Sequence, residues 1–211
     1  MNSLVRSGGL LAAAAALTTL TACGASGPSA SIVPLTSVKD YNVVPGQPLG
    51  PATQTAEQWN GRSWSFRKPA TGKVTLLYFG YTSCPDVCPI TMSDLAAAMH
   101  ELPASVADKV WVQFVSTDPH RDTPQKLHSW IDEFDPAFHA ARAPIEDVIA
   151  AARSYGIAIE KPKITRGDYE VTHGGDVVVL DQHGGEVGFF NELAPVKDYR
   201  AAIPALVEKY A

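Results

Sequence analysis

The sequence has few cysteines, no excess of positive charge, no internal repeat and no long apolar run, and each shortage excludes something. Three cysteines, Cys23, Cys84 and Cys88, cannot supply a disulfide framework, and the folded part is long enough to build a core without one. Stability therefore gives no reason for the two that stand close together. Lys and Arg number 17 against 22 Asp and Glu, a formal charge of -5. With no basic stripe to neutralise phosphates, nucleic acid is excluded as a partner. A spanning helix needs roughly 20 apolar residues, and the greasy stretch near the start, Leu10 to Leu17, is far shorter.

That stretch has another use. Arg6, the apolar run and the small residues after it make the pattern of an export signal. It closes on Leu20-Thr21-Ala22-Cys23, which resembles a bacterial lipobox. The expectation is cleavage before Cys23 and lipidation of its thiol, which with a second acyl chain anchors a protein stably. Residues 1–22 are then the signal and 23–45 a flexible tether rich in Gly, Ser, Ala and Pro. Residues 46–211 are one folded domain on the extracytoplasmic face of the cell membrane.

Within that domain strand and helix patterns alternate, which favours α/β layering. "WNGRSWSF" (59–66) predicts a hairpin about Asn60-Gly61, with Trp64 and Phe66 on one face. "KVTLLYFGY" (73–81) is a continuous apolar run, the mark of a central strand covered on both faces. A helix is predicted from Ile90 to Leu102, and "VWVQFVST" (110–117) predicts a second central strand. Thr123 as cap and Pro124 in the first turn start a helix running from Gln125 to Glu133. Another helix covers 144–156 with Gly156 as its cap. Two strands follow around Gly184-Gly185, and a last helix runs from Val196 to Tyr210, bent or shortened by Pro204. Trp59, Trp64, Trp111 and Trp130 are expected to fill the core and the gaps between elements. The order predicts a thioredoxin-like α/β fold: a central mixed sheet flanked by helices, with an N-terminal hairpin.

The chemistry sits after the first central strand, in "FGYTSCPDVCPIT" (79–91), at the strand end where open α/β sheets bind ligands. Pro85-Asp86-Val87 must turn sharply, bringing Cys84 beside Cys88 at a helix start, where free N–H groups and the helix dipole favour thiolate. Such a pair can serve as a redox couple, a metal clamp or a disulfide. The three-residue spacer is wider than the C-x-x-C of thioredoxin-type oxidoreductases and suits chelation. Two soft thiolates select Cu(I), zinc or iron–sulfur, and a third ligand has to come from the six histidines. His173, in a loop entering a strand and followed by Gly174 and Gly175, has the best context. His100, His120, His128, His139 and His183 are expected to be structural or exposed. Asp118-Pro119 and Arg121-Asp122 read as the end of a strand and the start of a helix, with Arg121 paired to a carboxylate. Thr82, two residues ahead of Cys84, leaves room for a peroxidase of the peroxiredoxin type, though the paired prolines argue against it.

Three blocks carry a resemblance. "GKVTLLYFGYTSCPDVCPITM" (72–92), "STDPHRDTP" (116–124) and "YEVTHGG" (169–175) follow one another as in the Sco/SenC family, extracytoplasmic thioredoxin-like proteins that assist assembly of the copper A centre of cytochrome c oxidase. The resemblance covers Pro48 to the C-terminus. It implies that Cys84, Cys88 and His173 bind copper, as Cu(I) or Cu(II), and that Cys84 and Cys88 can also act as a redox pair. It implies an auxiliary role for Asp118 beside the metal. Subunit II of the oxidase becomes the expected acceptor, and another extracytoplasmic copper chaperone the donor. A thiol–disulfide reductase that keeps acceptor cysteines reduced needs the same two thiols and not the histidine.

Overall fold

The computed structural model describes residues 53–211 and a two-residue strand at 38–39. The expected signal, the lipidation residue Cys23 and the rest of the expected tether lie outside the described residues. The elements run β1 (Val38–Lys39), β2 (Thr55–Gln58), β3 (Ser63–Ser65), β4 (Val74–Gly80), α1 (Val87–Glu101), α2 (Ala104–Ala107) and β5 (Val110–Ser116). They continue α3 (Pro124–Asp132), β6 (His139–Arg142), α4 (Ile145–Ser154), β7 (Val177–Leu180), β8 (Glu186–Phe190) and α5 (Val196–Tyr210). Among the described residues eight strands form one sheet in the order β1, β8, β7, β4, β5, β6, β2, β3. β4, β5 and β6 are parallel, and the remaining pairs are antiparallel. This is the mixed sheet with flanking helices and an N-terminal hairpin that the alternation predicts. β1 lies inside the stretch expected to be tether and pairs with β8 at the sheet edge.

All seven residues of β4 are buried, because successive side chains point to opposite faces and both faces are covered. Leu76 and Tyr78 face a cluster with Met92 and Leu95 of α1, Leu127 of α3 and Ile203 of α5. Leu77 and Phe79 face a second cluster with Trp64 and Phe66 from the hairpin and Val148 and Tyr155 from α4. Each fully buried aliphatic or phenyl side chain contributes about 1.5–3 kcal/mol relative to exposure. Two clusters clamped on one strand therefore hold β4 firmly, and it ends four residues before Cys84.

Several boundaries differ from the predicted ones for identifiable reasons. α1 begins at Val87, ahead of Ile90, so Cys88 is its second residue and Pro89 its third. Proline is tolerated there because the first four helical N–H groups have no partner within the helix. β6 and α2 have no counterpart in the predicted elements. α3 forms as predicted, with the Thr123 hydroxyl accepting from the Lys126 N–H. α5 runs unbroken past Pro204. The carbonyl that loses its partner there belongs to Arg200, which is exposed and open to water. In the β7–β8 turn, Gly184 has φ of +80°, and a Cβ on it would stand 2.2 Å from the Phe66 carbonyl oxygen, so only glycine fits.

Candidate metal centre

Cys84 comes from the turn between β4 and α1, and Cys88 from the first turn of α1. Asp86 precedes the helix, and Cys84 and Cys88 are both free thiols, the first half-buried and the second fully buried. His173 lies 85 residues beyond Cys88, in the segment before β7. Its segment pairs with 158–160: the Glu160 N–H donates to the Thr172 carbonyl at 3.0 Å, and the Gly174 N–H donates to the Ala158 carbonyl at 2.8 Å. The sulfurs of Cys84 and Cys88 and a ring nitrogen of His173 all lie within 4.8 Å of one another. His173 Nε2 is 3.5 Å from Cys88 Sγ, and Nδ1 is 3.0 Å from the Gly174 carbonyl oxygen. A carbonyl only accepts, so that contact places the proton on Nδ1 and leaves the Nε2 lone pair aimed at the sulfurs.

The two sulfurs shift each other's protonation in opposite directions. The Cys88 S–H, donating to Cys84, holds the Cys84 thiol well below its usual range. Cys88 is pushed up, first by the adjacent Cys84 sulfur and then by burial. Two sulfurs and one imidazole lone pair are the donor set of a soft cation once the thiol protons leave. Metal–sulfur and metal–nitrogen bonds of about 2.0–2.3 Å place ligands roughly 4 Å apart, which a 4.8 Å spread accommodates. No fourth Cys, His or carboxylate joins the group among the described residues.

Rings wall the site on the sheet side. Tyr78 and Tyr81 meet the imidazole edge-on, with centroids at 6.2 and 5.8 Å. Gly80 lets Cys88 approach the sheet, since a Cβ there would stand 2.9 Å from Cys88 Sγ.

Asp118 is not among the three clustered residues. It is fully buried and committed elsewhere: it forms an ion pair with Arg121, and the Tyr169 hydroxyl donates to its Oδ1 at 2.9 Å. The pairing of Arg121 with a carboxylate follows the sequence reading. Asp122, which the sequence marks only as part of a helix start, is a structural hub. Its buried carboxylate accepts from the Thr82 N–H at 3.2 Å, the Thr82 hydroxyl at 2.6 Å and the Ser116 hydroxyl at 2.6 Å. Thr82 is thereby spent on holding the turn before Cys84. The other histidines stay away from the thiols. His128 stacks on Trp59 and His139 on Trp111, His100 and His183 are exposed, and His120 lies 3.5 Å from the Tyr169 hydroxyl.

Comparison with known proteins points one way. The sequence profile described as SCO1/SenC matches residues 59–208. A putative copper-binding protein of Stutzerimonas stutzeri is 26% identical over 137 residues, which span 65% of this chain and 67% of that protein. Mitochondrial SCO1 homolog 1 of Arabidopsis thaliana is 32% identical over 143 residues, 68% of this chain and 43% of its own length. The matched region thus spans between two-fifths and two-thirds of these relatives. The structure of Bradyrhizobium japonicum ScoI with copper bound superposes with a TM-score of 0.65 at 29% identity, covering 74% of this chain and 98% of the other.

Proposed function

This chain belongs to the SCO1/SenC family, and from that premise we propose that it is a copper chaperone of the extracytoplasmic membrane face. It holds copper on Cys84, Cys88 and His173 and delivers it to the copper A site of cytochrome c oxidase subunit II. The observation that carries the reading is the two-sulfur, one-imidazole set within 4.8 Å, without a fourth ligand among the described residues. A structural zinc site is closed by four protein ligands, whereas two thiolates and one imidazole suit copper. Relatives named or solved as copper-binding support the same choice.

Copper here is cargo, and the site is built for exchange. Cys84 is half-exposed at the rim while Cys88 is fully buried behind it. An incoming thiolate reaches copper from the Cys84 side and displaces that ligand first, so the ion passes between ligand sets without being released. Loading expels the protons still held by the thiols. Among the described residues no helix is long and apolar enough to cross a membrane. Anchorage in this proposal is supplied by lipid on Cys23, with 1–22 as the signal and the described domain carried beyond it.

A second reading has its own observation. Cys84 held as thiolate beside a thiol is also the arrangement of a thiol–disulfide reductase. Mixing the copper-loaded full-length chain with a copper-free, reduced subunit II separates the two. Transfer of one copper, lost in His173→Ala, supports the chaperone. An acceptor that stays copper-free, while its oxidised form is reduced equally well by wild type and His173→Ala, would replace it with the reductase.

A further inference from the structure

The His173 segment belongs to no strand of the sheet. On one side its backbone pairs with 158–160, a stretch outside the sheet strands as well. The buried Val171 side chain roots it in the core, and Arg121, in the turn after β5, ties it there by hydrogen bonds. Arg121 Nη2 donates to the Tyr169 carbonyl at 2.8 Å, and the guanidinium lies 3.7 Å from the centre of the Tyr169 ring. Its Nε pairs with Asp118, whose other carboxylate oxygen takes the Tyr169 hydroxyl. The guanidinium also stands 5.6 Å from the centre of the Tyr81 ring, which in turn meets the His173 imidazole edge-on.

This clasp continues to the thiol side. The Asp118 N–H donates to Ser116 Oγ at 3.1 Å, the Ser116 hydroxyl donates to Asp122, and Asp122 holds Thr82 two residues before Cys84. Hydrogen bonds therefore run unbroken from the turn that carries the sulfurs to Tyr169, four residues before the imidazole. The side chains of Arg121 and Asp118 are only 17% and 1% exposed, so water competes weakly for these bonds. A planar fork that serves a carboxylate and a carbonyl while lying on a ring is a task for arginine and not for lysine.

We propose that Arg121, clasped by Asp118 and Tyr169, is a positioning residue that sets the distance between His173 and the two thiols. Asp118 acts through this clasp and not as a ligand. The inference rests on the copper site proposed above and assigns what holds its third ligand in place. Residues that orient a metal ligand from behind typically govern affinity by roughly 10–100-fold.

The test is a double-variant cycle on the full-length chain, with copper affinity measured by competition in wild type, Arg121→Met, His173→Ala and the combination. Arg121→Met is expected to weaken binding by roughly 10-fold when His173 is present and to change nothing further in His173→Ala, because the two act as one unit. Equal losses in both backgrounds, or none in either, overturn the proposal. If wild type takes up no copper the chaperone reading falls, and amide exchange in the metal-free protein then decides the clasp. The Glu160 and Gly174 amides are expected to exchange faster in Arg121→Met, and unchanged rates count against it. Should Arg121→Met fail to fold, Tyr169→Phe removes the hydroxyl that donates to Asp118 and stands 3.5 Å from His120. It is expected to move both readouts the same way by less, and no movement in either overturns the proposal.

Discussion

Cys88 owes its position to a residue with no side chain. A methyl group at Gly80 would stand 2.9 Å from Cys88 Sγ and 2.9 Å from the Phe114 ring, with the Tyr78 ring at 3.1 Å. None of these neighbours can retreat, since all three are fully buried. Gly80→Ala is expected to cost about 1–3 kcal/mol by overpacking and to displace the thiol, lowering copper affinity as well. A denaturant midpoint and a copper competition equal to wild type would contradict this. At the same scale, Cys84 and Cys88 stand out in the sequence because their chemistry is local, four residues apart at a helix start. His173 is legible from its neighbours Gly174 and Gly175 and from the resemblance of its block. The three come together in space as expected. Asp122 gives no such signal, because Thr82 is 40 residues away and only the parallel pairing of β4 with β5 brings the two together.

Among the elements, the loops at the carboxyl ends of β4 and β5 act as one unit through that carboxylate. Replacing Asp122 by Ala leaves the Thr82 N–H and two hydroxyls in a buried site without their acceptor. Bonds to a charged group contribute about 1.5–3 kcal/mol each, so Asp122→Ala is expected to lose roughly 3 kcal/mol or more in urea unfolding. Asp122→Asn, which keeps the shape, should lose less. An unchanged midpoint in Asp122→Ala would show that the hub carries no weight. The elements legible in advance were those with strong local signals: the apolar runs of β4 and β5, the capped α3, the periodic α1, α4 and α5, and the hairpins β2–β3 and β7–β8. β6 escaped because it is a four-residue strand built on Ala140 and Ala141. Both are fully buried in the sheet, yet alanine is a poor strand former. Only its register against β5 and β2 makes it a strand.

For the molecule as a whole, two half-buried titratable groups away from the thiols shape the response to pH. Burial raises the Glu186 carboxyl from 4.5 to about 8, and neither of its oxygens has a hydrogen-bond partner. Its native form holds a proton that the unfolded chain releases, so its contribution is complete below pH 4.5 and is lost as pH rises through about 8. His139, stacked on Trp111, is lowered from 6.5 to about 4 by burial and by Lys73. Its contribution is present above 6.5 and is lost as pH falls through about 4. Stability is therefore eroded from both sides. Glu186→Gln should become progressively more stable than wild type between pH 4.5 and 8, as read from thermal midpoints across that range. A difference independent of pH would show that the carboxyl is not held neutral.

The fold, its family and the meeting of two sulfurs with one imidazole converge on one claim, that this site carries copper. The most direct measurement is a titration of the reduced, full-length chain with Cu(I) and with Cu(II), comparing wild type and His173→Ala by competition and by visible absorption. The account predicts one copper per chain, thiolate-to-Cu(II) charge-transfer absorption in wild type, and weakened absorption and affinity in His173→Ala. A fully reduced protein that binds no copper tightly, or one whose binding ignores His173, would contradict it.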